Sequence, residues 1–272
     1  MRPESPISNA WIDAALVAGN RASAAFLPVL SLARVEPKVF SVLALLLGHG
    51  VIADGVAREA LVSVMSGDAA PRDRGRLPST SGGLLRFAAQ ATGWPMRLRS
   101  TGVRLRTDNA FSQQFKPPAA AQVQSLVQHW LKATTRAFAG NGENPNPSTP
   151  WLAYAEFFTL LSIHPFADGN GRTARALYAA RLATNGHAAP EWVLALALSY
   201  GENATRFHLA AQLAREGEFD DLYRNLADAL VRVGPWFASE MARLQRAVET
   251  GDVEAAHAAF DAMRAVLTVL MR

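Results

Sequence analysis

The chain has 272 residues, of which 50% are hydrophobic and 18% are charged, and this composition excludes a disordered or fibrous protein and argues against a coiled coil. The 27 basic and 23 acidic residues leave a net charge of only +4, which is too small an excess to indicate a nucleic-acid partner. Cysteine is absent, which excludes disulfides, thiolate metal sites and a cysteine nucleophile but leaves the redox compartment open.

The N-terminal part of the chain is predicted to be helical. Apolar residues recur at helical spacing over residues 14–29, 37–48 and 56–65. The longest apolar run, residues 39–47, is too short to cross a bilayer, and the polar start of the chain lacks a signal pattern, so we expect no membrane partner. Residues 67–83 are rich in glycine, proline and serine, and this composition predicts a loop.

The middle of the chain contains the one predicted β element. A helix over residues 84–91 is expected to stop at Gly93. Alternation of apolar and polar residues then predicts a small hairpin over residues 103–115. The two prolines that follow cannot donate to a β ladder and suit the start of a helix, which is predicted over residues 120–137.

Two further helices flank the most informative stretch of the sequence. A loop with three prolines over residues 140–150 precedes a mostly apolar helix over 151–163, which we expect in the core. An amphipathic helix is predicted over residues 173–185. Between the two lies the stretch His-Pro-Phe-Ala-Asp-Gly-Asn-Gly-Arg-Thr-Ala-Arg, residues 164–175. The predicted fold class is therefore mainly all-α, with one small β-hairpin.

The residue types in this stretch suit a polyphosphate ligand. Gly169 and Gly171 permit unusual backbone angles, so main-chain amides can face an anion where the next helix starts. Arg172 and Arg175 are three residues apart, so they project from one face of that helix and can contact the same anion. Together these features favour a polyphosphate over a single carboxylate.

Two more side chains in the stretch can carry chemistry. Asp168 offers the single carboxylate that holds Mg²⁺ when phosphates supply the other ligands. His164 can take a proton from an incoming hydroxyl. Taken singly, a lone histidine is usually a core or surface residue and Asp-Gly-Asn-Gly usually forms only a turn. The conjunction of these groups within one short stretch predicts a phosphate-handling site.

The same stretch resembles the signature of the Fic family, His-Pro-Phe-x-Asp/Glu-Gly-Asn-Gly-Arg-x-x-Arg, at every defined position. The similarity covers roughly residues 97–230, since residues 102–118 resemble the family's flap hairpin and residues 199–213 resemble the helix after the motif. The resemblance implies three parts: an N-terminal helical extension at residues 1–95, a Fic-type helical core with flap and catalytic loop at 96–232, and C-terminal helices at 233–272.

The resemblance implies Mg²⁺-dependent transfer of AMP from ATP to a Tyr, Thr or Ser hydroxyl of a target protein, with release of pyrophosphate. It makes His164 the general base, with Asn170 and Arg172 in the catalytic set, and Asp168 the Mg²⁺ ligand. The residues that it implies for nucleotide binding lie on the loop, on the next helix and in the adenine pocket: Phe166, Gly169, Asn170, Gly171, Arg172, Arg175, Asn203 and Phe207.

The resemblance also divides the phosphates among these residues. Phe166 would anchor the loop in the core, and the backbone of the two glycines would complete the anion nest. Asn170 would bind the α-phosphate, Arg172 the β-phosphate and Arg175 the γ-phosphate. Asn203 and Phe207 match the adenine pocket only by their place in the chain.

Alternatives to adenylylation stay open. Gly171 favours nucleotidyl transfer, because relatives of the Doc kinase type carry lysine there and bind the nucleotide in the reverse sense. Relatives with a similar motif use other nucleotides or transfer phosphocholine. A non-catalytic nucleotide-binding module would not need His164 and Asp168. A nucleic-acid-binding helical domain is suggested only by the pI of 9.8, and we expect no nucleic-acid partner.

The resemblance implies protein partners as well. The flap at residues 103–115 would bind an extended segment of the target protein by adding a strand. Many relatives are silenced by a helix bearing Ser/Thr-x-x-x-Glu-Gly/Asn, whose glutamate pairs with the second motif arginine, here Arg175. Thr250 and Glu254 have this spacing but are followed by Ala255.

Two other stretches, residues 63–67 and 79–83, have the spacing but end in glycine where the glutamate would be. Three interpretations of regulation follow: an unrestrained enzyme that lost its glutamate at Gly67, an inhibitory partner chain, or a degenerate motif at Glu254. The resemblance is compatible with a cytoplasmic enzyme and with an effector delivered into a host cell.

Overall fold

The computed structural model describes residues 6–25, 77–103, 115–139, 149–184, 196 and 204–270. This part of the chain is mostly helical and contains no strand, so the mainly all-α class is confirmed for it. Its helices are α1 (Asn9–Ala25), α2 (Ser81–Thr92), α3 (Ala120–Ala139), α4 (Thr149–Ile163), α5 (Asn170–Thr184), α6 (Ala204–Arg215), α7 (Asp220–Thr250) and α8 (Val253–Leu270).

Several predicted elements lie outside the described residues. They are residues 104–114 of the predicted hairpin, the predicted helices over 37–48 and 56–65, and the stretch 63–67 with its regulatory spacing. Asn203, assigned to the adenine pocket, also lies outside them. Among the described residues, no helix combines the length and apolar character needed to span a membrane.

Helix α4 forms the centre of the fold. All of its residues are buried, and it packs against α1, α3 and α5. Tyr154 and Phe157 stack with their ring planes 9° apart, and Tyr178 of α5 meets the edge of both rings. The predicted core position of this helix is therefore confirmed, although it starts at Thr149, two residues earlier than predicted. Because α4 is buried along its whole length, the residues that follow its C-terminal end begin at a fixed position in the fold.

Helix α1 lies unusually close to α4. A Cβ atom at Gly19 would be 2.9 Å from the Cβ of Ala155, so only glycine fits at this crossing. The hydroxyl of Tyr223 on α7 donates to the main-chain oxygen of Ala15 at 3.1 Å. These contacts fix α1 against both α4 and α7.

Helix α2 begins earlier than the composition predicts. The hydroxyl of Thr80 accepts a hydrogen bond from the N–H of Gly83 at 3.1 Å and so caps the helix N-terminus. Residues 81–83, which we expected in the loop, therefore form its first turn. The helix ends at Gly93, which has a φ of 83° and donates its N–H to Ala89, as the predicted stop requires.

The junction of α7 and α8 contains the pair with regulatory spacing. The hydroxyl of Thr250 donates to the main-chain oxygen of Arg246, within its own helix, at 2.9 Å. Glu254 is exposed in the first turn of α8. The N–H of Ala255 donates to Oδ1 of Asp252 at 3.0 Å, so Asp252 caps α8.

Candidate active site

The loop between α4 and α5 is closed by one buried side chain. Asn170 accepts a hydrogen bond from the N–H of Phe166 through Oδ1 and donates to the main-chain oxygen of Phe166 through Nδ2, both at 2.9 Å. Phe166 and Asn170 are both buried. The amide group of Asn170 carries a second N–H besides the one bonded to Phe166. The loop is thus a rigid turn, with Phe166 anchored in the core as expected.

Gly169 lies at the tightest point of this turn. Its φ is 83°, a region that L side chains rarely adopt. A Cβ atom there would be 2.8 Å from Cγ2 of Thr92 and 3.2 Å from Cε of Met96, so the glycine packs directly against the end of α2 and the segment after it. Both the backbone angle and the space around it require glycine.

Helix α5 starts at Asn170, not at residue 173 as predicted. The reason is the hydrogen bond from the N–H of Thr173 to the main-chain oxygen of Gly169, at 2.9 Å, which is the first bond of the helix. The amides of residues 170–172 precede this bond, and such amides at a helix start have no partner within the helix. With the positive end of the helix dipole, they form a surface suited to anions.

Two arginines lie beside this helix start. The guanidinium of Arg172 lies 3.9 Å from the centre of the Trp94 ring, and its Nη2 is 3.7 Å from Oδ2 of Asp168. A Cβ atom at Gly171 would be 3.2 Å from Nη1 of Arg175, so the Arg175 guanidinium folds back toward the N-terminal turn. Both cations therefore lie at the end of α5 where an anion would bind.

The side chain of Asp168 is 83% exposed beside these arginines. Its Oδ1 accepts a hydrogen bond from the N–H of Gly169 at 2.6 Å. Within the described ranges, no three His, Cys, Asp or Glu side chains come together as a metal site. At this helix start, the described residues therefore offer one carboxylate, that of Asp168, to a divalent cation. Phosphate and water would complete the coordination shell of the cation.

His164 follows the last residue of α4 in a strained backbone conformation. Its N–H donates to the main-chain oxygen of Leu160 at 2.9 Å, yet its φ is 52°, which is uncommon for a residue other than glycine. Its Nδ1 is 3.3 Å from the main-chain oxygen of Leu161. A carbonyl oxygen only accepts, so Nδ1 carries the proton of the neutral ring. Nε2 then keeps a lone pair with which to accept a proton.

Burial lowers the pKa of His164 from 6.5 to about 4. The bond to Leu161 acts in the opposite direction, the positive charges of Arg99 and Arg215 lower the pKa further, and the carboxylate of Asp168 raises it. The imidazole is therefore neutral near neutral pH, which is the protonation state that a general base requires.

Part of the chain is similar to a known protein family. Residues 89–182 match a family model described as "Fic/DOC family". The matched region is about a third of the chain and includes the whole stretch 164–175. Over 132 residues the chain is 29% identical to "Protein adenylyltransferase Fic" of Drosophila mojavensis. This match covers 47% of the chain and only 23% of that relative's length.

The fold brings most of the predicted site residues to one place, the loop before α5 and its first turns. They are His164, Phe166, Asp168, Gly169, Asn170, Gly171, Arg172 and Arg175. Phe207, which was assigned to the adenine pocket, is buried in α6 as part of the hydrophobic core. The individual roles of these residues remain predictions.

Four residues near the stretch 164–175 were not predicted from the sequence. Thr92 packs on Gly169 and Trp94 stacks on Arg172. Arg99 and Arg215 are buried and lie close enough to His164 to lower its pKa. The guanidinium of Arg215 stacks 3.8 Å from the centre of the Phe115 ring, which fits the preference of arginine for aromatic faces.

Replacing Gly169 with alanine should destabilise the protein by about 1–3 kcal/mol, because alanine is strained at this φ and its Cβ would clash with Thr92. Gly171→Ala is the matched control, since its Cβ meets only the flexible end of Arg175. Urea unfolding of both variants measures the effect. Equal stability of the two variants would contradict the assigned role of Gly169.

The depressed pKa of His164 predicts a pH-dependent stability. The unfolded chain binds a proton at this residue below about 6.5 and the folded chain only near 4, so folding is opposed between these values. The contribution of the neutral ring to the free energy of unfolding is complete above pH 6.5 and is lost as the pH falls to 4. Urea unfolding should therefore show the wild type losing stability relative to His164→Ala as the pH falls from 6.5 to 4. A constant difference would contradict the depressed pKa.

Proposed function

We propose that this chain is a Mg²⁺-dependent protein adenylyltransferase that transfers AMP from ATP to a Tyr, Thr or Ser hydroxyl of a target protein. The observation that supports this most strongly is the arrangement of His164 and the start of α5 in one rigid loop. A neutral imidazole with a free Nε2 lone pair precedes a helix start that carries two arginines. A proton acceptor beside an anion site is what transfer of a phosphoryl-linked group to a hydroxyl requires.

Nε2 of His164 takes the proton of the target hydroxyl, and the hydroxyl oxygen forms a bond to the α-phosphorus of ATP. The bond between that phosphorus and the oxygen bridging to the β-phosphate breaks, and pyrophosphate leaves. The amides at the start of α5 and the guanidinium groups of Arg172 and Arg175 bind the phosphates and stabilise the charge that develops on them.

Asp168 would hold the Mg²⁺ ion, which supplies charge neutralisation to the phosphates when it is bound. The fit rests on the exposure of the carboxylate and on its place next to the helix start. Oδ2 of the same carboxylate lies 3.7 Å from Nη2 of Arg172, so the cation and this arginine would share Asp168. Arg172 stays at the site because it also stacks on Trp94.

The phosphate assignment is tested by Arg175→Ala. Since Arg175 is proposed to contact the γ-phosphate, the variant should lose about tenfold in affinity for ATP and much less for ADP. Isothermal titration with both nucleotides and Mg²⁺ measures this difference. Equal losses for the two nucleotides would remove Arg175 from the γ-phosphate.

The reaction itself is tested by the position of a radioactive label. The protein is incubated with Mg²⁺ and ATP labelled at either the α- or the γ-phosphate, together with peptides that contain Tyr, Thr and Ser. Adenylylation transfers the α-label alone. Transfer of the γ-label would indicate a kinase reaction, and transfer from a labelled choline donor but not from ATP would indicate a phosphocholine transferase.

Partners are also part of the proposal. The target protein would contribute an extended segment to the stretch 103–115, and an inhibitor could act from a separate chain. A purely nucleotide-binding module is the alternative that the neutral, oriented His164 argues against, because such a module needs no proton acceptor.

A further inference from the structure

Arg99 is a buried arginine that binds four main-chain oxygens. Only 5% of its surface is exposed. Its Nε donates to His164 at 2.7 Å, its Nη1 to Thr101 at 3.2 Å, and its Nη2 to Pro118 and, at 3.5 Å, to Ile163. A single guanidinium thus connects three separate parts of the chain.

These parts meet at the end of α4. Ile163 is the last residue of α4 and His164 follows it, so their oxygens lie where helix carbonyls have no partner within the helix. Thr101 and Pro118 stand at the two ends of the stretch 102–117. The main-chain N–H of Arg99 also donates to the oxygen of Pro165 at 2.9 Å, so its backbone and side chain bind consecutive residues around His164.

The backbone of His164 needs such support. Its φ of 52° costs about 1–2 kcal/mol for a residue with a side chain, so this conformation persists only where the surroundings favour it. The shortest bond of the Arg99 side chain to this loop goes to the oxygen of His164 itself. The orientation of that oxygen depends on the same backbone rotation that aims the imidazole.

We propose that Arg99 is a positioning residue for the transfer reaction, and that it sets the direction of the His164 imidazole by fixing the backbone at the end of α4 against the residues at both ends of the stretch 102–117. This inference rests on the proposed function for its catalytic consequence. The hydrogen bonds that support the positioning role do not depend on the proposed function.

Lysine cannot replace Arg99 in this role. The guanidinium presents five N–H donors in a planar fork, whereas the ammonium of lysine has three donors on one atom and cannot reach carbonyls on opposite sides. Arg99→Lys therefore keeps the charge and removes the geometry. Arg97→Lys is the matched control, because Arg97 is exposed two residues earlier in the same segment.

The kinetic test compares wild type, Arg99→Lys and Arg97→Lys in transfer of the α-label. Arg99→Lys should lower kcat by about 100-fold, since a misplacement of about 1 Å has that effect on a reacting group. Its affinity for Mg-ATP, measured by titration calorimetry, should stay within about threefold because the phosphate loop is closed separately by Asn170. Arg97→Lys should match the wild type in both.

A wild-type kcat in Arg99→Lys would overturn the proposal, as would a loss of affinity as large as the loss of kcat. Failure of both Arg99→Lys and Arg99→Gln to unfold cooperatively would also overturn it, because Arg99 would then be required for folding. The unfolding curves of the variants are therefore recorded first.

A second measurement separates this proposal from the proposed function. NMR titration of the His164 ring needs no transfer activity, and the charged groups that face this ring are Arg99, Arg215 and Asp168. If Arg99→Lys frees the loop, the ring becomes hydrated and its titration midpoint rises from about 4 toward 6.5 although the positive charge is kept. An unchanged midpoint in Arg99→Lys would overturn the positioning role even where the wild type transfers nothing. A shifted midpoint in a chain without transfer would support the positioning of His164 and overturn the proposed function.

Discussion

His164→Ala is expected to slow nucleotidyl transfer by about 10²–10⁴-fold, the usual contribution of a general base. The physical reason is the ring's tautomer: Nδ1 faces the oxygen of Leu161, so Nε2 accepts the hydroxyl proton, and alanine has no acceptor. Mg-ATP affinity should change little, because the groups proposed to bind phosphate lie at the start of α5. Single-turnover transfer and titration calorimetry measure the two effects.

His129→Ala is a suitable control for this experiment. His129 pairs with Asp13 at 2.9 Å where α3 meets α1, away from the phosphate loop in the chain, and we expect its loss to leave transfer unchanged. The role of His164 as base is contradicted if His164→Ala transfers at the wild-type rate. It is also contradicted if the variant loses rate only because it no longer binds Mg-ATP.

Glu156→Ala is expected to destabilise the protein by about 3–5 kcal/mol, because it leaves a buried arginine without its carboxylate. Glu156 on α4 accepts two hydrogen bonds from Arg181 on α5, one from Nε at 2.9 Å and one from Nη2 at 2.6 Å. The side chains are only 1% and 10% exposed, and the guanidinium lies 4.1 Å from the centre of the Phe138 ring. Chemical denaturation measures the free energy of unfolding.

Two control variants separate the buried charge from the lost contact. The double variant Glu156→Leu/Arg181→Met removes both charges and should recover most of the stability, since apolar residues of similar volume replace buried pairs well. Arg224→Ala breaks a pair with Asp221 whose side chains are more than half exposed, and it should cost no more than about 1 kcal/mol. A loss from Glu156→Ala no larger than that from Arg224→Ala would contradict a buried ion pair.

The local chemistry of the site could be predicted from the sequence because it lies in consecutive residues. Two glycines, an aspartate and two arginines within one short stretch are informative without any tertiary contact. The start of α5 was predicted three residues late, since Asn170 and Gly171 are usually loop residues. Here the side chain of Asn170 closes the loop through two hydrogen bonds to Phe166, and the helix starts at Asn170 itself.

Contacts between distant parts of the chain could not be predicted in the same way. Arg97 and Arg99 are both arginines and lie two residues apart in the same local pattern, yet Arg97 is exposed and Arg99 is buried. Arg99 donates hydrogen bonds to main-chain oxygens as distant in the sequence as that of His164. Only tertiary structure distinguishes them. Glu156 did carry a signal, because a single charged residue in an otherwise apolar helix needs a buried partner. The sequence alone did not identify Arg181 as that partner.

The most direct test of the proposed function is intact-mass spectrometry after incubation with Mg²⁺ and each of the four nucleoside triphosphates. Wild type and His164→Ala are compared, with Tyr-, Thr- and Ser-containing peptides added as acceptors. We predict a mass gain of one AMP on the wild-type chain or on a peptide, with ATP and only when His164 is present. A gain that also occurs in His164→Ala, a gain of one phosphate, or no gain from a wild type that binds Mg-ATP would contradict protein adenylylation by this site.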